Sequence, residues 1–152
     1  MSEVTILNQT TNQIQGDYNY EQTFIFDNKY ITGNFLNNTG AKAEFAEGLV
    51  VGRIADGGAN NGKIVPLDPA AVDGSQFPLG ILKRGTISLA DAAEAAVTVG
   101  VAGDVNENKV SFEGATTLDT IVSLRTLRDR IASDTLGIQL VESTELSDYD
   151  NQ

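Results

Sequence analysis

Cysteine, histidine and tryptophan are missing from all 152 residues, proline occurs three times, and the single methionine is Met1. These absences remove much of chemistry. Thiolate nucleophiles, disulfides, Cys/His zinc sites, haem ligation, Ser-His-Asp triads and any histidine acid or base are excluded because the atoms are not there. Carboxylate, lysine, serine and tyrosine chemistry is still open, so an enzyme is not formally excluded, but none is expected. Positive charge is also scarce: ten Lys+Arg stand against twenty-one Asp+Glu, a net charge of −11 with a pI near 4.2. That sign is opposite to what a phosphate-binding surface needs, so nucleic acid and anionic membrane are poor partners. Long apolar runs are absent too. The longest, such as AAVTVGVAG, falls far short of the roughly 20 residues of a membrane-spanning helix. The opening MSEVTILNQTTNQ has neither a basic n-region nor an apolar h-region, so a soluble protein made in a cytoplasm is expected.

Three segments differ in composition. Residues 1–22 are dense in Asn, Gln and Thr, with apolar residues isolated at Val4, Ile6, Leu7, Ile14, Tyr18 and Tyr20. Val4 alternates with Ile6, and Tyr18 with Tyr20, as in a strand. The segment is too polar to build a core and reads either as an arm that orders on a partner or as a terminus without a role. Residues 143–152 close the chain as an acidic tail. Between them, residues 23–142 read as one β-rich domain, long enough to bury a core without staples.

Within that body the turn signals come about every ten residues. TFIFDNKYIT has the look of a two-residue hairpin at Asp27-Asn28, since both residues tolerate positive φ. GLVVGRIA reads as a strand, ADGGANNG as a loop, and KIVPL as a returning strand with Pro66 at an edge or end. DPAAVDG suggests one helical turn capped by Asp68, with Pro69 in its first position. FPLGIL, GTISLA, AAVTVGVAG and KVSF supply further short strands, with Asn106–Asn108 closing a hairpin. One main helix is expected near the C-terminus: in SLRTLRDRIASD, Leu124, Leu127 and Ile131 recur at helical spacing, and Ser123 can cap the start. Gly137 then stops it and GIQLV returns as a strand. The sum is a mostly-β or α+β domain.

Candidate chemistry is thin. Asp56–Gly62 has a calcium-loop composition but lacks alternating ligands and a distal bidentate Glu, so a long turn explains it. GGANNGK misses the phosphate-loop spacing because Ile64 follows Lys63. Asp91 and Glu94 stand three apart, with nothing to orient a substrate between them. Neither a metal nor a cofactor is expected. Arg125, Arg128 and Arg130 gather three of the ten positive charges. Arg125 and Arg128 lie on one side of the expected helix, either salted against the acidic body or contacting a partner's acidic patch.

The order of GLVVGRIA, a Gly/Asn turn, KIVPLDP, DGSQFPLGIL and the terminal GIQLV resembles the phage lambda head decoration proteins over roughly residues 45–142. The resemblance implies a compact β-clip-like fold, homotrimers at local threefold positions of a phage head, and a polar arm that becomes ordered on the shell. The partner it implies is the major capsid protein, and the place is the outer surface of the virion head. Candidate capsid-contacting residues are then Val4, Ile6, Ile14, Tyr18 and Tyr20 of the arm, with Arg125 and Arg128. An alternative reading is a receptor- or carbohydrate-binding module of a phage fibre or baseplate. That reading wants exposed aromatic platforms, and the chain has only six Phe and four Tyr.

Overall fold

A computed structural model describes residues 22–83 and 86–142. The elements, in chain order, are β1 (Phe24–Leu36), β2 (Ala43–Phe45), β3 (Val50–Arg53), β4 (Ile64–Pro66), β5 (Pro78–Lys83), β6 (Ile87–Leu89), β7 (Glu94–Asn106), β8 (Ile121–Val122), β9 (Arg125–Thr126), α1 (Leu127–Asp134) and β10 (Ile138–Val141). The fold is mostly β with one α-helix near the C-terminus, as the pattern of the sequence predicts. The main sheet runs β1-β4-β3-β5-β7-β10, and β1 also pairs with β7. Five strands therefore close into a ring, and β10 extends it beside β7 in parallel. Small two-stranded sheets, β2-β6 and β8-β9, sit on this frame.

Adjacent apolar residues in the strands go to opposite sides. Val51 and Leu82 join Phe35, Phe45, Ile64, Val97 and Val99 in one core. Their neighbours Val50 and Ile81 join Leu67, Val105, Val122, Leu127, Ile131 and Ile138 in a second. A strand with both faces covered reads as an unbroken apolar run, and so GLVV and GIL do not alternate with polar residues. Helix α1 covers the second core with Leu127 and Ile131, four residues apart on one face.

Several local expectations need correction. Asp27-Asn28 is not a hairpin: β1 runs through it as one strand of 13 residues. Asp27 does take positive φ (53°), but as part of an irregularity where the β1–β7 register shifts. Asn28 donates from Nδ2 to the carbonyls of Ala102 and Asp104, 3.2 and 3.0 Å away, on either side of Gly103. Gly103 has φ +98°, and a Cβ there would run into the Asp27 carbonyl. Asp68 closes a turn rather than a helix, accepting from the Ala70 amide on Oδ1 and from the Ala71 amide on its carbonyl, both at 3.0 Å. Residues 107–109 form a 3-10 turn, and Ser111 bridges Leu49 instead of returning along β7. The Gly/Asn loop and the strand-ending Pro66 stand where expected, between and at the end of β3 and β4.

Helix α1 starts later than the spacing suggests. Its cap is Thr126, whose hydroxyl accepts from the Asp129 amide at 3.3 Å, not Ser123. Leu124 is expelled from the apolar stripe altogether, into the turn between β8 and β9. Both central residues of that turn, Ser123 (φ 48°) and Leu124 (φ 73°), lie in the left-handed region. Those signs belong to the two-residue turn whose twist matches a hairpin.

Candidate interaction surface

The polar loops use their oxygens internally. Asp56 Oδ1 accepts from the Gly58 amide at 2.8 Å and Asn61 Oδ1 from the Gly57 amide at 3.1 Å, which shapes the loop as a closed turn. Glu94 is also committed. It takes the Lys63 ammonium at 2.5 Å and the Asn34 side-chain amide, and these two hydrogen bonds hold its carboxyl below the usual range. It ties the start of β7 to β1 and to the loop before β4, so it is not one half of an acid–base pair with Asp91. Among the described residues, no group of three or more acidic side chains stands close enough to hold a metal ion.

The expected site residues Val4, Ile6, Ile14, Tyr18 and Tyr20 lie outside the described residues. Arg125 and Arg128 do not form the shared basic face that a longer helix would give them. Arg128 hydrogen-bonds Glu107 at 2.5 Å, and that bond raises the guanidinium pKa further. Arg125 stands in β9, exposed, with its guanidinium 3.5 Å from the Asp129 carbonyl. Arg130, the third of the group, is a structural clasp. Its Nε donates to the Val122 carbonyl at 2.7 Å and a terminal nitrogen to the Ser123 carbonyl at 3.0 Å. The other terminal nitrogen pairs with Asp134 at 2.9 Å, and the guanidinium lies 4.8 Å from the centre of the Phe77 ring. Its side chain is only 11% exposed. Each of its three nitrogens has a hydrogen-bond partner, which is what lets a charge be buried so far.

What Arg130 holds is the Ser123–Leu124 turn. Left-handed backbone costs a non-glycine residue about 1–2 kcal/mol, and here two consecutive residues adopt it. The turn nevertheless presents Leu124 with 97% of its surface to solvent, and Ile121 of the same hairpin is 66% exposed. Among the described residues no burial rewards a leucine at that position. Sequence reasoning misses the feature because Leu124 fits the three- and four-residue spacing of the helix that follows. Its only sequence trace is Ser-Leu in a slot where Asn-Gly would be expected.

A second apolar exposure surrounds Leu136 (78% exposed) and Phe26 (69%) beside the β1–β7 face. Open hollows mark the described surface. One, of about 390 Å³, is lined by polar residues such as Asn38, Thr39, Asp68 and Glu113 together with Pro69.

The family model of the bacteriophage lambda head decoration protein D matches residues 15–124. The chain belongs to that family. The match begins inside the polar arm and takes in every strand from β1 to β8, the turn and Leu124 included. It therefore reaches further toward the N-terminus than the motifs from GLVVGRIA onward suggest, and it stops before α1 and β10. Among curated proteins none matches this chain. Membership in the head decoration family makes this a structural protein of the phage head, associated with the capsid.

Proposed function

We propose that this protein binds the outer surface of the major capsid protein shell, as a homotrimer, and stabilises the expanded head. The observation that carries the reading is the family match over residues 15–124. The domain's chemistry supports it. Several of its polar groups hold loops and strands, and a decorating protein needs rigid shape more than reactive groups. The net charge of −11 keeps unbound copies apart in solution. Each copy can then bind modestly while the shell gains from many simultaneous contacts. Residues 1–22 are the attachment arm in this reading, with Val4, Ile6, Ile14, Tyr18 and Tyr20 contributing apolar contacts and an added strand supplying main-chain hydrogen bonds.

Calorimetry of heads assembled with and without the protein tests the role. Decorated heads are expected to disrupt at a higher temperature than bare expanded heads. Superimposable profiles at full occupancy would remove the stabilising function.

A further inference from the structure

Asparagine followed by glycine occurs once in the chain, at Asn61-Gly62, and aspartate followed by glycine twice, at Asp56-Gly57 and Asp73-Gly74. At such pairs the glycine amide nitrogen can attack the preceding side-chain carbonyl carbon, because no Cβ on the second residue blocks the approach. In all three the fold engages the glycine N–H. Gly57 donates to Asn61 Oδ1 at 3.1 Å, Gly62 to the Ile54 carbonyl at 2.7 Å and Gly74 to Gln76 Oε1 at 2.8 Å. We propose that Asn61 is a modification site, at which this chain slowly deamidates, and that the Gly62–Ile54 hydrogen bond is the latch that sets its rate.

Asn61 is the weakest of the three for chemical reasons. Cyclisation at an aspartate needs a protonated carboxyl, and hydrogen bonds to a carboxylate favour the ionised form. Asp73 Oδ1 takes the hydroxyl and amide of Ser75 at 2.6 and 3.0 Å, and Asp56 Oδ1 the Gly58 amide at 2.8 Å. The neutral amide of Asn61 has no such protection. Asn61 and Gly62 are both exposed, and a Cβ at Gly62 would meet nothing within 4 Å, so side chain and water have room. In the reaction the Gly62 nitrogen gives its proton to solvent and bonds Asn61 Cγ, closing a succinimide ring. The Cγ–Nδ2 bond breaks, and the nitrogen leaves as ammonia with a proton from solvent. One water then opens the ring at either carbonyl, leaving aspartate or, with the main chain rerouted through the side chain, isoaspartate. In the folded loop neither reactant is free. The Gly62 proton points at the Ile54 carbonyl, and the Gly57 amide holds Asn61 Oδ1. The Ile54 amide donates in turn to the Lys63 carbonyl at 2.9 Å, so the latch continues the β3–β4 pairing into the loop. The loop must open locally before the ring can close.

The wild-type chain suffices for the test. Full-length protein is held in warm, mildly alkaline buffer, both native and unfolded in guanidinium chloride, and its peptides are mapped by mass spectrometry with fragmentation that separates isoaspartate from aspartate. In the unfolded chain, position 61 is expected to convert ahead of every other asparagine. In the native protein it is expected to convert still, but more slowly by roughly tenfold or more, since two hydrogen bonds must first break. Amide hydrogen exchange at Gly62, measured by NMR, gives the fraction of time that the latch is open. An open latch is necessary for the chemistry but not sufficient. The slowing at Asn61 is therefore expected to equal or exceed the protection of the Gly62 amide. Conversion as fast in the native protein as in the unfolded chain overturns the latch, and so does a slowing smaller than that protection. Native protein in which other asparagines convert while position 61 stays intact overturns the site.

Discussion

Asn37 is fully buried, at the end of β1 where the main sheet meets the β2–β6 pair, and its side chain replaces a missing strand contact. Nδ2 donates to the carbonyls of Ala41, Leu89 and Ala90 at 2.9–3.1 Å, while Oδ1 accepts from the amide and hydroxyl of Thr39. Removing it breaks several part-buried hydrogen bonds that join these segments, so Asn37→Ala is expected to destabilise by about 1–3 kcal/mol. Asn37→Asp should be worse at neutral pH, because a carboxylate would face three carbonyl oxygens; denaturant unfolding of the two variants side by side checks the order. Two other residues contribute to the acid behaviour. The Asp73 carboxyl is held below its usual pKa by hydrogen bonds from the Ser75 hydroxyl (2.6 Å) and amide (3.0 Å), and Glu94 by Lys63 and Asn34. A carboxyl with a depressed folded-state pKa adds stability above its unfolded value and loses it as pH falls through the folded one. Unfolding free energy should therefore drop as pH falls below the ordinary carboxylate range. Asp73→Asn/Glu94→Gln should flatten that drop, and an unchanged slope would assign it to other acids.

Among elements, α1 has only eight residues, too few to persist alone. Packing holds it, through Leu127 and Ile131 in the second core, and Ile131→Ala is expected to cost about 2–5 kcal/mol. If the loss is nearer zero in thermal unfolding, the helix is not integral to that core. The helix and the interior strands were legible because they obey one period: Leu127 and Ile131 at four residues, GLVV and GIL as unbroken runs. The ends were not legible. Leu124 continues the helical spacing as well as any residue, and only the pairing of Val122 with Arg125 draws it into a turn instead. Asp27-Asn28 carries a sound hairpin signal, yet pairing with the 13-residue β7 outweighs it and turns the same backbone preference into a bulge facing Gly103. The closure of β1 onto β7 joins residues more than sixty positions apart, as at Asn34 and Ala96 or Phe24 and Val105. No local pattern encodes such a register. For the same reason Arg130 reads as surface charge in the sequence: its partners Val122, Ser123 and Phe77 come together only in the folded hairpin and ring.

At the scale of the whole molecule, three apolar clusters among the described residues draw on positions 24–140. The composition of the arm gives it little to build on. Six isolated apolar residues among Asn, Gln and Thr cannot offset ordering costs of about 1–2 kcal/mol per residue, so a partner has to supply the missing contacts. On an added strand, Val4 with Ile6 and Tyr18 with Tyr20 would each place two side chains on one face, every fully buried aliphatic contributing roughly 1.5–3 kcal/mol. Deleting residues 2–20 is therefore expected to leave the thermal midpoint within a few degrees of the intact protein while lowering occupancy on heads at limiting concentration. A double substitution, Val4→Asp with Ile6→Asp, should reproduce much of that loss without shortening the chain, because charge cannot be buried in an apolar contact without a partner. Head-binding isotherms for the three proteins decide the matter. If the truncated chain saturates heads at the same free concentration as the intact one, attachment lies in the β domain, and the exposed side chains at Phe26, Ile121, Leu124 and Leu136 become the surfaces that must carry it.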